Sequence, residues 1–273
     1  MKLSHELRRF STPHGAMRLL VLRPKEQKGA LPGILWIHGG GYCSGFAEMA
    51  YFSCGRLAAE RCGAVLLAPE YRLSWQAPYP AALADCYRAL LYMKTHAGEL
   101  GIRSDQLMVG GESAGGGLAA ALCMLAHDRG EVNIAFQTPL YPMLDCFDTA
   151  SSAHNHFDPT WGTLRNHAAW RTYLGKYRDR QNVPAYASPA RRRDLTGLPP
   201  CYSFVCRDEP FHDETVNYIS GLQKAGVAAC IDVYPGNFHA FDMLLPWTQR
   251  AKAARAAFCR QFEYAAEHYF APQ

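Results

Sequence analysis

The sequence of 273 residues has little net charge, and it lacks a hydrophobic run long enough to cross a bilayer. Its formal charge of +4 is weak for a nucleic-acid-binding protein. The one dense basic run, at residues 191–193, is therefore interpreted as a solvated loop rather than a phosphate site. The first ten residues are polar and contain no apolar signal core. We expect a soluble protein without nucleic-acid or membrane partners.

Disulfide and metal patterns are also missing. The ten cysteines form no Cys-x-x-Cys pair and no regular framework. Several lie in apolar patterns, where a free thiol behaves as a small hydrophobic group, namely Cys123, Cys206, Cys230 and Cys259. This usage favours a reducing compartment, and a cytoplasmic location is expected. His154, His156 and Asp158 are close in sequence, but no further ligands follow at a suitable spacing, so no metal is predicted.

Short apolar runs alternate with helical patterns along most of the chain. The expected strands cover residues 5–12, 17–22, 33–37, 64–68, 106–110, 133–138, 201–206 and 229–234. Helices are expected at about 50–61, 80–97, 213–225 and 247–269, with another that ends at Gly130. The alternation predicts an α/β protein with a mostly parallel sheet and helices on both faces. Residues 145–175 break the rhythm and are interpreted as an insertion within a single domain, 1–273.

Residues 111–115 carry the pattern Gly-x-Ser-x-Gly, with Ser113 at its centre. A strand-like run precedes the pattern and a helix-like run follows it, which is the context of a nucleophile elbow. Small residues two positions before and after the serine let the strand and helix approach closely. The pattern alone also occurs by chance in glycine-rich loops, so its interpretation depends on partner residues.

A serine hydroxyl is a poor nucleophile until a base removes its proton, and the base needs an acid partner. His239 is the candidate base, because it lies just after the last expected strand. The acid should follow the strand at 201–206, where Asp208 and Glu209 both fit. Adjacent side chains point in different directions, so the local pattern leaves this choice open. Asp213 is better placed as a helix N-cap.

A glycine run at residues 38–41 follows another expected strand. Gly39 and Gly40 can present backbone N–H groups to an oxyanion, together with the N–H of Ala114. His38 is interpreted as a structural hydrogen-bonding residue. A phosphate loop would end in Lys-Ser/Thr, and no such ending follows. The glycine run, the serine motif and residues 207–209 all fall at strand carboxyl ends, where ligands of α/β sheets bind.

From about residue 33 to 245, the chain resembles the hormone-sensitive-lipase-like (family IV) esterases of the α/β-hydrolase fold. His38 to Gly41 resembles the family's oxyanion motif, and residues 112–116 resemble its serine motif, with Glu112 where Asp is usual. Further signatures of the family are matched at residues 71–73, 79–85 and 195–200. The resemblance implies the α/β-hydrolase fold, with a mostly parallel eight-stranded sheet flanked by helices.

The resemblance also bears on the acid. Residues 209–214 match the family's acid pattern position for position, with Glu209 in the catalytic place. Glu209 is therefore favoured, and Asp208 is the second choice. The family usually follows its histidine with Gly-Phe, whereas this chain has Ala240 and Phe241.

The function implied by the resemblance is that of a serine carboxylesterase that needs no cofactor and forms an acyl-enzyme. A carbohydrate deacetylase or small amidase would use the same residues. Two hypotheses of a different functional class are a non-catalytic ligand-binding module and a structural interaction protein. The resemblance also implies a homodimer through the sheet edge.

The N-terminal region differs from the family's pattern, since a strand is expected where the family has cap helices. We therefore expect a small cap, built mainly from residues 145–175. Such a cap predicts an open, shallow site that favours short, acetyl-type acyl chains or accepts bulky alcohols.

Overall fold

The computed structural model describes residues 1–155 and 158–273 and contains an eight-stranded sheet. The order across the sheet is β1-β2-β4-β3-β5-β6-β7-β8. The β1–β2 and β2–β4 pairs are antiparallel, and the remaining neighbours are parallel, which confirms the predicted mostly parallel sheet. The strands are β1 (Leu3–Thr12), β2 (Gly15–Pro24), β3 (Leu31–Ile37), β4 (Val65–Pro69), β5 (Ile102–Glu112), β6 (Phe136–Leu140), β7 (Cys201–Cys206) and β8 (Ala229–Tyr234).

Helices cover both faces of the sheet, as predicted. They are α1 (Cys54–Glu60), α2 (Ala81–Thr95), α3 (Ala97–Leu100), α4 (Ala114–Arg129), α5 (Ala150–Ala153), α6 (Thr163–Leu174), α7 (His212–Lys224), α8 (Phe241–Leu244) and α9 (Gln249–His268). Successive β3 side chains point to opposite faces. Leu35 packs in the core with α2 and α4, while Trp36 packs in the core with α1 and α9.

Two predicted elements have different bounds in the structure. The strand expected at 133–138 begins at Phe136, because the N–H and amide groups of Asn133 bond the C-terminal residues Gln273 and Pro272 instead of a neighbouring strand. The helix expected at 50–61 divides into a 3₁₀ turn at Ala47–Phe52 and helix α1. The Ser53 side chain caps α1 by accepting from the Gly55 N–H, which sets the start of the helix.

The segment 145–175 contains α5 and α6 and packs on the loop that follows β3. Its Tyr173 stacks on Tyr42, with 3.9 Å between the ring centroids, and Trp170 is buried beside both rings. The insertion therefore lies against the glycine-rich loop. Its assignment as a cap stays a prediction.

All ten cysteines are free thiols. Cys123, Cys206 and Cys259 are buried as expected, but Cys230 is exposed because it lies on the edge strand β8. Among the helices of the described residues, none is both long and apolar enough to span a bilayer.

Candidate active site

Ser113 occupies a sharp turn between β5 and α4, as the sequence predicts. Its φ of 57° is unusual for a residue with a side chain and marks a constrained position. A Cβ on Gly115 would lie 2.1 Å from the Ile37 carbonyl oxygen, and one on Gly111 would lie 2.5 Å from the same atom. The elbow therefore needs glycine at both positions, which explains the small residues of the motif.

Three side chains form a hydrogen-bonded line at the carboxyl ends of the strands. Ser113 Oγ lies 2.9 Å from His239 Nε2, and His239 Nδ1 lies 2.8 Å from Glu209 Oε1. All three residues are buried, with exposures of 6%, 4% and 0% for the serine, histidine and glutamate. In this arrangement the Nδ1–H donates to the carboxylate, which leaves Nε2 free to accept the serine proton.

The structure brings Glu209, and not Asp208, to the imidazole. Asp208 is exposed, and its backbone N–H and carbonyl bond Gly236 and Asn155. Glu209 turns inward, where its second oxygen accepts from the Cys206 N–H. Burial raises the pKa of the Glu209 carboxyl, and the contact with His239 opposes this shift.

Two aromatic rings hold the His239 ring from its sides. Tyr141 and Phe211 both meet the imidazole edge to face, with 5.0 Å between the ring centroids. The Tyr141 hydroxyl donates to Asp242 at 2.7 Å, which fixes the orientation of its ring. Ala240, directly after the histidine, has a φ of 58°. Glycine adopts this left-handed conformation without strain, whereas Ala240 carries a Cβ there.

The glycine loop lies beside Ser113. A Cβ on Gly39 would lie 3.2 Å from the Ser113 Cβ, so the backbone of this residue borders the hydroxyl. Gly40 has a φ of 112°, and its carbonyl accepts from the N–H groups of Cys43 and Ser44. The loop therefore requires glycine to turn past the serine.

His38 hydrogen-bonds within this loop, as interpreted from the sequence. Its Nδ1 donates to the Gly39 carbonyl at 2.8 Å, and its ring stacks on Tyr71 at 4.2 Å. Burial lowers the pKa of His38, so the ring is neutral at pH 7. A neutral ring in this position supports the turn of the loop.

Glu112, next to the serine, has an environment that the sequence does not predict. It is buried, and its two carboxyl oxygens have no hydrogen-bond partner in the described part of the chain. Burial raises the pKa of Glu112 well above its usual range, and the nearby Asp242 carboxyl adds to the shift. Burial therefore disfavours the charged form of Glu112 behind the elbow.

Asp158 contributes to the site in a way that its sequence neighbours do not indicate. Its carboxylate accepts from the backbone N–H groups of Thr160, Trp161 and His239. Across residues 1–155 and 158–273, no three His, Cys, Asp or Glu side chains are placed to hold a metal ion together. His156, considered with Asp158 in the sequence, lies outside the described residues. The contact joins residues 81 positions apart, so no local pattern could reveal it.

The predicted N-cap role of Asp213 is wrong. Helix α7 begins at His212 and its N-cap position is Phe211, so Asp213 lies in the first turn. Its carboxylate instead accepts from the Ser151 N–H, because α5 packs across this end of α7. Asp213 thus anchors the insertion rather than the helix.

The basic run at residues 191–193 is not fully solvated, because two of its three arginines form ion pairs. Arg191 pairs with Asp145, and Arg192 pairs with both carboxylate oxygens of Asp128. Arg193 is exposed. Two of these three charges therefore stabilise the local structure and are not available to an external phosphate.

The sequence model of a family described by the alpha/beta hydrolase fold matches residues 34–243. The chain belongs to the hormone-sensitive-lipase-like family of α/β-hydrolases. It is 33% identical over 197 residues to the esterase LipI of Mycobacterium tuberculosis, a match that covers 72% of this chain and 61% of LipI. It is 31% identical over 227 residues to the ethyl acetate hydrolase of Pseudomonas putida, which covers 80% of this chain and 69% of that protein.

The fold is also shared with solved structures of esterases. A bacterial heroin esterase superposes with a TM-score of 0.90 at 35% identity, over 96% of this chain and 84% of that chain. The match to LipI spans less than two thirds of LipI's length. The family model and the structural match each extend over most of this chain.

Proposed function

We propose that this α/β-hydrolase is a serine carboxylesterase that hydrolyses short-chain acyl esters through an acyl-enzyme intermediate. The observation that carries the proposal is the buried line from Ser113 Oγ through His239 to Glu209, with successive contacts of 2.9 and 2.8 Å. The names of LipI, the ethyl acetate hydrolase and the heroin esterase describe ester hydrolysis, which supports the same chemistry.

Ser113 acts as the nucleophile. Its Oγ attacks the ester carbonyl while His239 Nε2 takes the hydroxyl proton, and Glu209 stabilises the imidazolium that forms. Because all three groups are buried, this charge interaction is stronger than it would be in water. The leaving alcohol then receives the proton from His239.

Backbone N–H groups stabilise the oxyanion. Those of Gly39 and Gly40 come from the glycine loop, and that of Ala114 comes from the first residue of α4. The positive end of the α4 dipole adds to this stabilisation. After the alcohol leaves, His239 activates a water molecule that hydrolyses the acyl-enzyme.

The proposed preference for short acyl groups rests on the position of Trp161. A Cβ on Gly41 would lie only 2.1 Å from the indole Cη2, so the indole packs directly on the glycine loop. The indole Nε1 donates to Asn166 at 3.3 Å, which holds the ring in this position. A large fixed side chain beside the oxyanion loop limits the room for a long acyl group.

A chain-length series of p-nitrophenyl esters, from acetate to decanoate, tests the proposal. We expect the highest kcat/KM for acetate to butyrate and a loss of at least about 10³-fold in Ser113→Ala. A preference for long acyl groups would contradict the short-chain assignment. A parallel screen of sugar acetates and anilides would show whether a deacetylase or an amidase describes the protein better.

The non-catalytic alternative is tested by a fluorophosphonate probe. The esterase forms a covalent adduct on Ser113 that Ser113→Ala lacks. Folded wild-type protein without this adduct, and without turnover of any activated ester, would favour a ligand-binding module.

A further inference from the structure

Asp158 connects the insertion to the loop that carries His239. One carboxylate oxygen accepts from the Thr160 N–H at 2.7 Å and from the Trp161 N–H at 2.9 Å, and the other accepts from the His239 N–H at 3.2 Å. The Asp158 side chain is only 8% exposed. Both oxygens of this carboxylate are therefore held by backbone N–H groups, one of which belongs to His239.

The same segment also contacts the glycine loop. Trp161 follows Asp158 by three positions, and its indole packs on Gly41 of the glycine loop. Residues 158–161 therefore contact both the histidine loop and the glycine loop. A displacement of Asp158 would therefore affect both loops.

We propose that Asp158 is a positioning residue for His239, which fixes the backbone of the histidine loop and supplies a second negative charge beside the imidazole. This inference rests on the proposed esterase function. Glu209 orients the ring from Nδ1, whereas Asp158 acts on the backbone N–H of the same residue. Burial is the main reason that the pKa of Glu209 is raised, and the charge of Asp158 adds to this rise. The two carboxylates therefore interact electrostatically.

Other titratable groups also surround His239. Tyr141 lies against the ring and donates to Asp242, so its hydroxyl is turned away from the imidazole. Burial raises the pKa of Tyr141 well above its usual range, so it is neutral near pH 7. Burial likewise raises the pKa values of the neighbouring acids and thiol, which are Glu112, Asp242 and Cys206. Glu209 and Asp158, in contrast, hydrogen-bond His239 directly.

The test compares Asp158→Asn with wild type in two measurements. The substitution keeps the shape of the side chain and removes its charge, so the imidazolium loses one stabilising partner. We expect the midpoint of the acidic limb of the kcat/KM profile to fall by about one pH unit, the size that an opposite charge within about 6 Å contributes. We expect kcat/KM at its optimum to fall about tenfold, because the histidine loop loses an acceptor.

The second measurement follows the His239 ring by NMR titration and does not depend on turnover. The ring's midpoint should fall by the same amount in Asp158→Asn. If the wild type hydrolyses no ester but the ring titration still shifts, the esterase proposal fails and the positioning role stands. If the wild type hydrolyses esters and neither midpoint moves in Asp158→Asn, the positioning role fails and the esterase proposal stands.

Three further variants separate charge from packing. Asp148→Asn removes a carboxylate that bonds His167 in the same insertion, and both midpoints should stay unchanged. Asp158→Glu retains the charge, so its midpoints should stay near wild type even if kcat falls. Asp158→Ser removes the charge with a smaller side chain and should reproduce the shift. Unfolding of both Asp158→Asn and Asp158→Ser, with Asp148→Asn folded, would assign Asp158 a purely structural role and overturn the inference.

Discussion

Glu209→Gln keeps the size of the side chain and removes the negative charge 2.8 Å from His239 Nδ1. Two unit charges about 4 Å apart, at an effective dielectric constant of about 20, interact by about 4 kcal/mol. If this interaction develops only as the imidazolium forms, its loss slows the reaction by about 10³-fold. The amide can also donate to Nδ1 and favour the wrong tautomer, so the full loss in kcat is expected to reach about 10³- to 10⁴-fold.

The assay is steady-state hydrolysis of p-nitrophenyl acetate, with the melting temperature measured to confirm folding. Asp208→Asn is the matched control, because Asp208 is the adjacent carboxylate and is exposed. Its kcat should stay within about threefold of wild type, as for a surface substitution that touches no reacting group. A large loss in Asp208→Asn with normal activity in Glu209→Gln would refute the assignment of the acid.

Three other substitutions probe the nucleophile elbow at Gly115, the buried carboxyl of Glu112 and the indole of Trp161. Gly115→Ala places a Cβ 2.1 Å from the Ile37 carbonyl oxygen, so it should lower the free energy of unfolding by about 3 kcal/mol in urea titrations. Gly98→Ala is the control, because a Cβ there meets no atom within 4 Å and should not lower the free energy of unfolding. Burial raises the pKa of Glu112 above 4.5, so the contribution of this carboxyl to stability is fully present below pH 4.5 and is lost as the pH rises through its folded value. Glu112→Gln should therefore lack this loss and show a flatter dependence of Tm on pH, and an unchanged slope would contradict the raised pKa. Trp161→Ala opens space beside Gly41 and should raise the hexanoate-to-acetate ratio of kcat/KM about tenfold; an unchanged ratio would show that the indole does not border the acyl group.

Much of the fold follows from local patterns. The buried strands are short continuous apolar runs, and Gly111 and Gly115 predict the elbow because no other residue fits so close to β3. Ser113 and His239 are identifiable because each follows a strand, in the chain order of serine, acid and histidine that α/β-hydrolases use. Where hydrogen bonds outside the regular ladder compete with the hydrophobic pattern, as at Asn133 and Ser53, the strand or helix begins at a different residue from the one predicted.

The remaining features depend on distant contacts. Asp208 and Glu209 are equivalent in local pattern, and the residues alone do not show which side chain turns inward. Asp158 meets His239 across 81 positions, and Asp213 meets Ser151 across 62. These pairings are set by how the insertion folds back over the strand ends. The hydrophobic periodicity of the sequence does not indicate that arrangement.

In the proposed mechanism, Ser113 carries the acyl group during turnover. Its most direct test is rapid acid quenching of the enzyme with p-nitrophenyl acetate, followed by peptide mass spectrometry. We expect an acetyl group on Ser113 that accumulates within the first turnover and is absent from Ser113→Ala. Sustained hydrolysis without an acetyl group on Ser113, or hydrolysis that survives in Ser113→Ala, would contradict it.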